Sequence, residues 1–407
     1  MSGRGAAAPD LEPDAAFARF VHKLRRDGLG YLWYRLRWEA TQPTTPPGKA
    51  VHALMRGALA AALTPIRALR DAAAGVAPGA AETLYAFYDL KVAPVTYDIL
   101  WFLAAADLER RRLGLTRVHV VIVPGPFQGV REEDELYERA VNAQARRWRI
   151  DNILVPACRL LPACTGLTLA GTRTEAAAVR SRLARHVYPA GYETALPLAP
   201  HPRHCLRPAE AGVRPIGVLR ASPAALGYVE RWLAPRLEGR RLVTITLRDY
   251  SYYPARNSNL AAWTEFARRL DRGLYFPVFV LDTERTLDLP SPAADLSVFR
   301  TVSWNLGLRM ALYERAWLNL GVNSGPVGLC WLNDTTRYIT FKILTPEAPQ
   351  TTLRFARWCG FEPDRSLPFA TPLQRWVWDD DSVEAIEREF AAMAAAIAAA
   401  GPGVRAA

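Results

Sequence analysis

The side chains best suited to chemistry lie in a polar loop in the second half of the chain. Arg248 directly follows the uncharged, β-branched run 242–247, and the loop ends just before an amphipathic segment that begins at Leu260. Arginine presents a planar fork of donors that matches phosphate and carboxylate oxygens, and tyrosine rings can stack on a base or a sugar. We therefore expect a ligand-binding loop, with a solvated loop that caps the next helix as the alternative. Its candidate donor groups and rings are Arg248, Tyr250, Arg256 and Asn257.

A second candidate loop, residues 321–328, is rich in small residues and follows the apolar run 316–322. Small residues let a ligand approach the backbone, and Asn323 and Ser324 can cap a helix that begins near Gly325. The free N–H groups and the positive dipole at such a helix start suit a diphosphate. Turns without a ligand use the same residue types, so that alternative stays open.

Lys342 closes a further apolar run, residues 338–343, on what we expect to be the same edge. A lysine on an exposed edge strand is the ordinary alternative.

Alternating strands and helices must position these loops. Strand 242–247, helix 260–270 and strand 276–281 follow one another, and helix 223–237 precedes them. This is the pattern of an open parallel sheet, whose ligands bind at the carboxyl ends of the strands. The first half alternates in the same way, with predicted strands at 83–88, 117–123, 153–156 and 186–189. We therefore predict an α/β fold with two Rossmann-like domains.

The composition divides the chain into five predicted segments. Residues 1–80 form a disordered start followed by basic amphipathic helices, and residues 81–200 form the first Rossmann-like domain. A proline-rich linker spans 201–221 and leads to the second Rossmann-like domain, 222–370. Residues 371–407 are predicted as a helical tail that crosses over the fold.

The net charge narrows the classes of partner. A formal charge of +11 and a sequence pI near 9.6 favour nucleotide phosphates, nucleic acid or an acidic membrane, with a compositional bias towards arginine as the alternative. No nucleic-acid-binding module is present, and the aromatic residues do not interleave with basic ones, so we expect no nucleic-acid partner. The basic, aromatic-rich stretch 15–73 predicts amphipathic helices that lie on an anionic membrane surface or pack on the protein.

Cysteine usage and the N-terminus favour a cytoplasmic protein, with peripheral association with the inner membrane left open. The five cysteines are odd in number and have no CxxC spacing, which is typical of reduced thiols. No signal peptide and no apolar run of about 20 residues is found. The pattern HxxHC at 201–205 lacks further ligands, so we expect no metal, and no P-loop or nucleophile elbow is present.

With these residues laid out, the second half resembles the donor-binding domain of GT-B glycosyltransferases, and within them the lipopolysaccharide heptosyltransferase-like group. That group has a helix of the form W-x-x-[FL]-A-x-x-L before a strand, and here residues 263–270 are WTEFARRL and 277–280 are PVFV. Its glycine loop D-[ST]-G-P-x-H-L-A corresponds to NSGPVGLC at 323–330, with Asn323 and Gly328 replacing the acid and the histidine. The resemblance covers roughly residues 220–342.

The resemblance implies a GT-B-like fold, with an acceptor domain at 81–200 and a nucleotide-sugar donor domain at 222–370. It implies a bacterial glycosyltransferase that needs no metal or cofactor and acts on a cell-surface polysaccharide or a lipid-linked acceptor. The leaving diphosphate would be held by Arg248, Arg256, Ser324 and Gly325, with Lys342 as a weaker member.

An inverting enzyme of this kind also needs a base from the N-terminal domain. The unranked candidates are Glu132, Glu133 and Asp134, which follow the strand at 117–123. Because the acid and the histidine of the glycine loop are missing, a catalytically degenerate scaffold of a polysaccharide assembly complex is the alternative function.

Overall fold

The computed structural model describes residues 46–73, 80–133, 135–283, 286 and 296–400. Within them the chain forms two parallel β-sheets, one in each half, with helices between the strands. The predicted fold class, two Rossmann-like α/β units, is confirmed. Asp134 and residues 15–45 of the predicted amphipathic region lie outside the described residues.

The first half carries a four-stranded parallel sheet with strand order β3-β2-β1-β4. Its strands are β1 (Thr83–Asp89), β2 (Arg117–Val123), β3 (Cys164–Leu169) and β4 (His186–Tyr188). Every residue of β1 is buried, as expected for a central parallel strand covered on both faces. The helices of this half are α1 (Pro46–Ala73), α2 (Ile99–Arg112), α3 (Glu135–Ala140), α4 (Ala143–Arg149), α5 (Val155–Cys158), α6 (Arg173–Arg182) and α7 (Arg203–Glu210).

The second half carries a six-stranded parallel sheet. Its strands are β5 (Arg241–Thr246), β6 (Tyr275–Val280), β7 (Ser297–Val298), β8 (Leu318–Val322), β9 (Tyr338–Phe341) and β10 (Gln374–Trp376). The helices are α8 (Pro223–Leu237), α9 (Leu260–Arg269), α10 (Leu306–Arg315), α11 (Gly328–Trp331), α12 (Leu353–Cys359) and α13 (Val383–Ala400). Two short 3₁₀ turns, Pro254–Arg256 and Gly325–Val327, precede α9 and α11.

The strand order of the second sheet is β7-β6-β5-β8-β9-β10, which in chain order is the 3-2-1-4-5-6 arrangement of a doubly wound fold. The order reverses between β5 and β8. In open α/β sheets the ligand crevice lies at this reversal, outside the carboxyl ends of the strands. The loops that follow β5 and β8 therefore border the crevice.

The segment 153–156, predicted as a strand, is helical. It belongs to one continuous helical stretch in which a π-helical turn, Ile150–Leu154, runs directly into α5. Its buried residues, Ile150, Ile153, Leu154, Ala157 and Cys158, recur at helical spacing rather than on alternate positions.

Further segments acquire structure that the sequence did not predict, and strand β3 (Cys164–Leu169) is one of them. Helix α7 lies inside the proline-rich stretch 201–221 and buries Cys205, whose thiol donates to the carbonyl of Trp101 on α2. Strand β10 lies inside the predicted helical tail and pairs with β9.

The two halves are packed against each other through α2 and the loop before it. The Trp101 ring lies 6.4 Å from that of Trp331 and 6.0 Å from that of Phe361. A Cβ placed on Gly325 would lie 2.5 Å from Cδ2 of Tyr97, so the loop after β1 touches the turn after β8. In the part of the chain that the structure describes, no helix is long and apolar enough to cross a membrane.

Candidate functional site

Two loops, residues 248–259 after β5 and residues 323–325 after β8, border the strand-order reversal. We call them together the rim. They are joined directly, because Nη2 of Arg256 donates to the carbonyl oxygen of Asn323 at 3.3 Å. The two loops singled out in the sequence are therefore brought together by the fold.

Arg256 is a largely enclosed cation without a counter-charge in contact with it. Among the described residues no carboxylate lies within ion-pair distance of it, and its Nε is buried with no hydrogen-bond partner. Burial, and after it the positive charge of Arg248, lower the pKa of Arg256 to about 10. A partly buried charge without a counter-ion is costly, so an anion at this position would relieve the cost.

Ser324 presents a second unsatisfied donor on the neighbouring loop. The residue is 6% exposed, and its buried Oγ has no hydrogen-bond partner among the described residues. Its backbone is extended, and its side chain does not cap the 3₁₀ turn that begins at Gly325. A buried hydroxyl without a partner forfeits about 1–3 kcal/mol. Ser324 and Arg256, on the two joined loops, are therefore both left with an unsatisfied polar atom.

Arg248 and Asn257 fix the conformation of the loop 248–259 through hydrogen bonds inside it. The Arg248 guanidinium donates to the carbonyls of Tyr252 and Tyr253 and to Oδ1 of Asn257. Oδ1 of Asn257 accepts from the Tyr250 N–H, and Nδ2 of Asn257 donates to the Tyr250 carbonyl, each at 3.1 Å. These contacts fold the loop into the shape that presents Arg256.

Lys342 differs from Arg256 because its charge is compensated locally. Its Nζ donates to the carbonyl of Asn257 at 3.3 Å and lies 3.8 Å from Oδ1 of Asp381. Asp381 is 2% exposed, and its Oδ2 accepts from the Asn259 N–H at 2.7 Å and from Nε1 of Trp263 at 2.8 Å. Lys342 and Asp381 together therefore hold residues 257–259, the end of the loop next to α9, in place.

Asn323 anchors the other loop to β9. Its backbone N–H donates to the carbonyl of Phe341 at 2.9 Å, and its Nδ2 donates to that of Ile343 at 2.8 Å. Both bonds leave the Asn323 carbonyl directed at Arg256.

Tyr250 links the rim to the N-terminal half. Its hydroxyl accepts from Nη2 of Arg149 at 2.9 Å and donates to the carbonyl of Ala140 at 3.4 Å. The Arg149 guanidinium also lies 5.6 Å from the centre of the tyrosine ring, within cation–π distance. In this conformation Tyr250 holds α3 and α4 against the rim.

The predicted base candidates make no polar contact with the rim in the part of the chain that the structure describes. Glu133 accepts from Nε and Nη2 of Arg131 at 2.6 and 3.2 Å, and Glu132 is exposed. Neither side chain is hydrogen-bonded or ion-paired to a rim residue within the described chain. Asp134 lies outside the described residues.

Asp98 is a carboxylate of the N-terminal half whose charge acts on the rim. It is exposed at the start of α2, and its negative charge opposes the lowering of the Arg256 pKa. It follows Tyr97, the residue that touches Gly325. The sequence did not single it out, although it lies in the loop after β1, where the first sheet reverses its own strand order.

No family model matches the sequence, and no curated protein matches it. Similar solved structures include the glycosyl transferase family 9 protein from Veillonella parvula, at 11% identity and TM-score 0.41, covering 77% of this chain and 97% of that one. They also include the Escherichia coli heptosyltransferase WaaC with ADP, at 12% identity and TM-score 0.36, covering 76% of this chain and 99% of that one. The fucosyltransferase NodZ from Bradyrhizobium is 11% identical at TM-score 0.27, covering 62% and 94% of the two chains.

Proposed function

We propose that the chain is a glycosyltransferase that takes a sugar from a nucleotide-sugar donor whose diphosphate binds at the rim. The observation that supports this most directly is the pairing of an uncompensated arginine, Arg256, with an unbonded hydroxyl, Ser324, at the strand-order reversal. A diphosphate carries both the negative charge and the acceptor oxygens that these groups lack. The doubly wound sheet supports a nucleotide at the same crevice.

In the proposed reaction an acceptor hydroxyl attacks the anomeric carbon of the sugar and transfers its proton to the Asp98 carboxylate. The bond between the anomeric carbon and the diphosphate oxygen breaks, and the nucleoside diphosphate leaves with the bonding electrons. Arg256 and Ser324 stabilise the charge that develops on the diphosphate, in the role that a metal ion has elsewhere. Arg248, Asn257, Lys342 and Asn323 position these two groups through the contacts described above.

Tyr97 governs access to the turn after β8. Its ring packs so closely on Gly325 that a methyl group there would overlap it. Donor entry therefore requires the loop before α2 to move away from Gly325, and closure afterwards would bring Asp98 towards the bound sugar. Such closure excludes water from the reacting atoms.

We infer that the acceptor is a polysaccharide or lipid-linked molecule at a membrane surface. Helix α1 exposes large apolar side chains along its length: Val51 56%, Leu54 75%, Met55 43%, Ile66 61% and Leu69 74%. Its sequence carries Lys49, Arg56, Arg67 and Arg70 against the single acid Asp71. Apolar exposure combined with positive charge suits an anionic leaflet. Co-sedimentation with anionic but not neutral liposomes, lost when Leu54 and Leu69 are both replaced by Ser, is the expected result, and sedimentation with neither would oppose it.

The function is tested by incubating the protein with nucleotide sugars of several bases and measuring release of the nucleoside diphosphate. Wild type and the control Arg147→Met, which changes an exposed arginine of α4, are expected to consume one donor class. Asp98→Asn is expected to lower that rate by about 10²–10⁴-fold, as for loss of a general base. If the protein binds a nucleotide but does not consume any donor, either alone or with extracted acceptors, the degenerate scaffold would be favoured instead. The replacements at Asn323 and Gly328 in the glycine loop support that alternative.

A further inference from the structure

A cleft lined by residues outside the rim combines positive charge with apolar surface. It has a volume of about 430 Å³ and lies between α7 and the turn that follows α12. Arg203, Arg207 and Arg357 contribute its cations, and Leu206, Phe361 and Pro363 contribute its apolar surface.

One arginine of this cleft is held in place by a hydrogen bond, and the side chains of the other two have no partner in the described chain. Arg203 donates from Nη2 to the carbonyl of Arg357 at 2.9 Å, which fixes one guanidinium at the cleft wall. Gly360 has φ +92°, and a Cβ there would lie 3.1 Å from Cγ of Arg203, so the turn makes room for the arginine stem. Within the described chain, the side chains of Arg207 and Arg357 have neither a hydrogen bond nor an ion pair.

The charge of the cleft favours an anion. Arg203 and Arg207 are four residues apart on α7, and like charges at that spacing destabilise a helix. Of the two acids in the lining, Glu362 is paired with Arg365 at 2.8 Å, which leaves Glu210 against three arginines. An anionic ligand would offset the repulsion between the guanidinium groups.

The apolar lining of the cleft indicates which kind of molecule bears the anionic group. The Phe361 ring packs on Trp101 and, at 5.0 Å, on Trp376, so these contacts hold it in the lining of the cleft. A rigid ring beside cations suits a molecule with one apolar face and one charged group, and a pyranose bearing a phosphate or a carboxylate has both.

We propose that this cleft is a second binding site, distinct from the rim, that recognises a sugar carrying a phosphate or a carboxylate group. The charged group contacts Arg207 and Arg357, and the sugar ring lies on Phe361. The proposal does not depend on the function assigned to the rim.

The test is isothermal titration calorimetry of glucose 6-phosphate, glucuronate and uncharged glucose at an ionic strength fixed with sodium chloride. Binding of either anionic sugar, with no binding of glucose, is expected, and which of the two binds identifies the charged group. The double variant Arg207→Ala/Arg357→Ala is expected to weaken that binding at least tenfold. The control Arg354→Ala removes an exposed arginine of α12, the helix that also carries Arg357, but Arg354 does not line the cleft. This control is expected to leave the affinity for the anionic sugar unchanged.

Three results would overturn the proposal. The first is no binding of either anionic sugar to wild type. The second is equal loss of affinity in Arg354→Ala, which would indicate unspecific attraction to a basic surface. The third is loss in Arg256→Met, which would move the binding to the rim. Circular dichroism of each variant checks that the fold is retained, as expected for side chains without protein partners.

Discussion

Replacing Arg256 by methionine should make the ligand-free protein more stable while removing its ability to bind a nucleotide. Burial, together with the nearby charge of Arg248, lowers the pKa of Arg256 to about 10, which at 1.36 kcal/mol per pKa unit corresponds to roughly 3 kcal/mol of cost for the charged form. Methionine has a similar length and no charge, but it loses the bond to the Asn323 carbonyl, which contributes about 1 kcal/mol. The net expectation is a gain of about 2 kcal/mol in the free energy of unfolding.

The assay is urea unfolding at pH 7, followed by circular dichroism, together with the thermal midpoint. For a domain of 150–250 residues a gain of 2 kcal/mol raises the midpoint by roughly 4–8 °C. The control Arg147→Met changes an exposed side chain and should remain within about 0.5 kcal/mol of wild type. A loss of stability in Arg256→Met would refute the reasoning, because it would show that the guanidinium is satisfied in the unliganded protein.

Three further outcomes follow from the contacts around the rim and the first sheet. Asp381→Ala should lower the free energy of unfolding by about 1–3 kcal/mol, because it leaves the buried Nε1 of Trp263 without an acceptor and removes the nearer of the two carboxylates beside the partly buried Lys342; a urea midpoint within error of wild type would contradict this. Gly325→Ala should destabilise the contact between the halves, and adding Tyr97→Ala should recover most of the loss, since the added methyl overlaps that ring; equal losses with and without Tyr97 in a double-mutant cycle would oppose the packing. Burial lowers the pKa of His119 below 6.5, so the unfolded chain takes up the proton first as the pH falls and stability is lost below about pH 6.5. His119→Gln should flatten that part of the pH profile, and an unchanged slope in calorimetry would count against it.

The fold could be predicted wherever the burial of an element leaves a recognisable pattern of residue types in the sequence. Strand β5 is an apolar, β-branched run because helices cover both faces of the sheet. Helix α8 was predicted at its observed bounds, with proline in its first turn and the Ser222 hydroxyl accepting from the Ala225 N–H at its start. Residues 153–156 were misassigned because a four-residue apolar run does not distinguish a strand from a helix until the flanking spacing is counted.

The meeting of the two loops could be predicted from the sequence, but the different contacts of their side chains could not. Loops after parallel strands meet at one edge, so the sequence locates both halves of the rim. Arg248 and Arg256 carry the same chemistry, however, and only the fold shows that Arg248 holds loop carbonyls while Arg256 retains a buried Nε without a partner. The sequence did not single out Asp98, the base that we propose, because its place at the reversal of the first sheet depends on the pairing of β1 with β4, strands about a hundred residues apart.

The most direct test of the central claim is calorimetric titration of wild type, Arg256→Met and Arg147→Met with GDP, UDP, ADP, CDP and dTDP. We expect one nucleoside diphosphate to bind wild type and Arg147→Met equally and to bind Arg256→Met at least tenfold more weakly, since a charge-assisted bond contributes about 1.5–3 kcal/mol. Equal affinity in wild type and Arg256→Met, or no binding of any of the five to wild type, would contradict a diphosphate site at the rim.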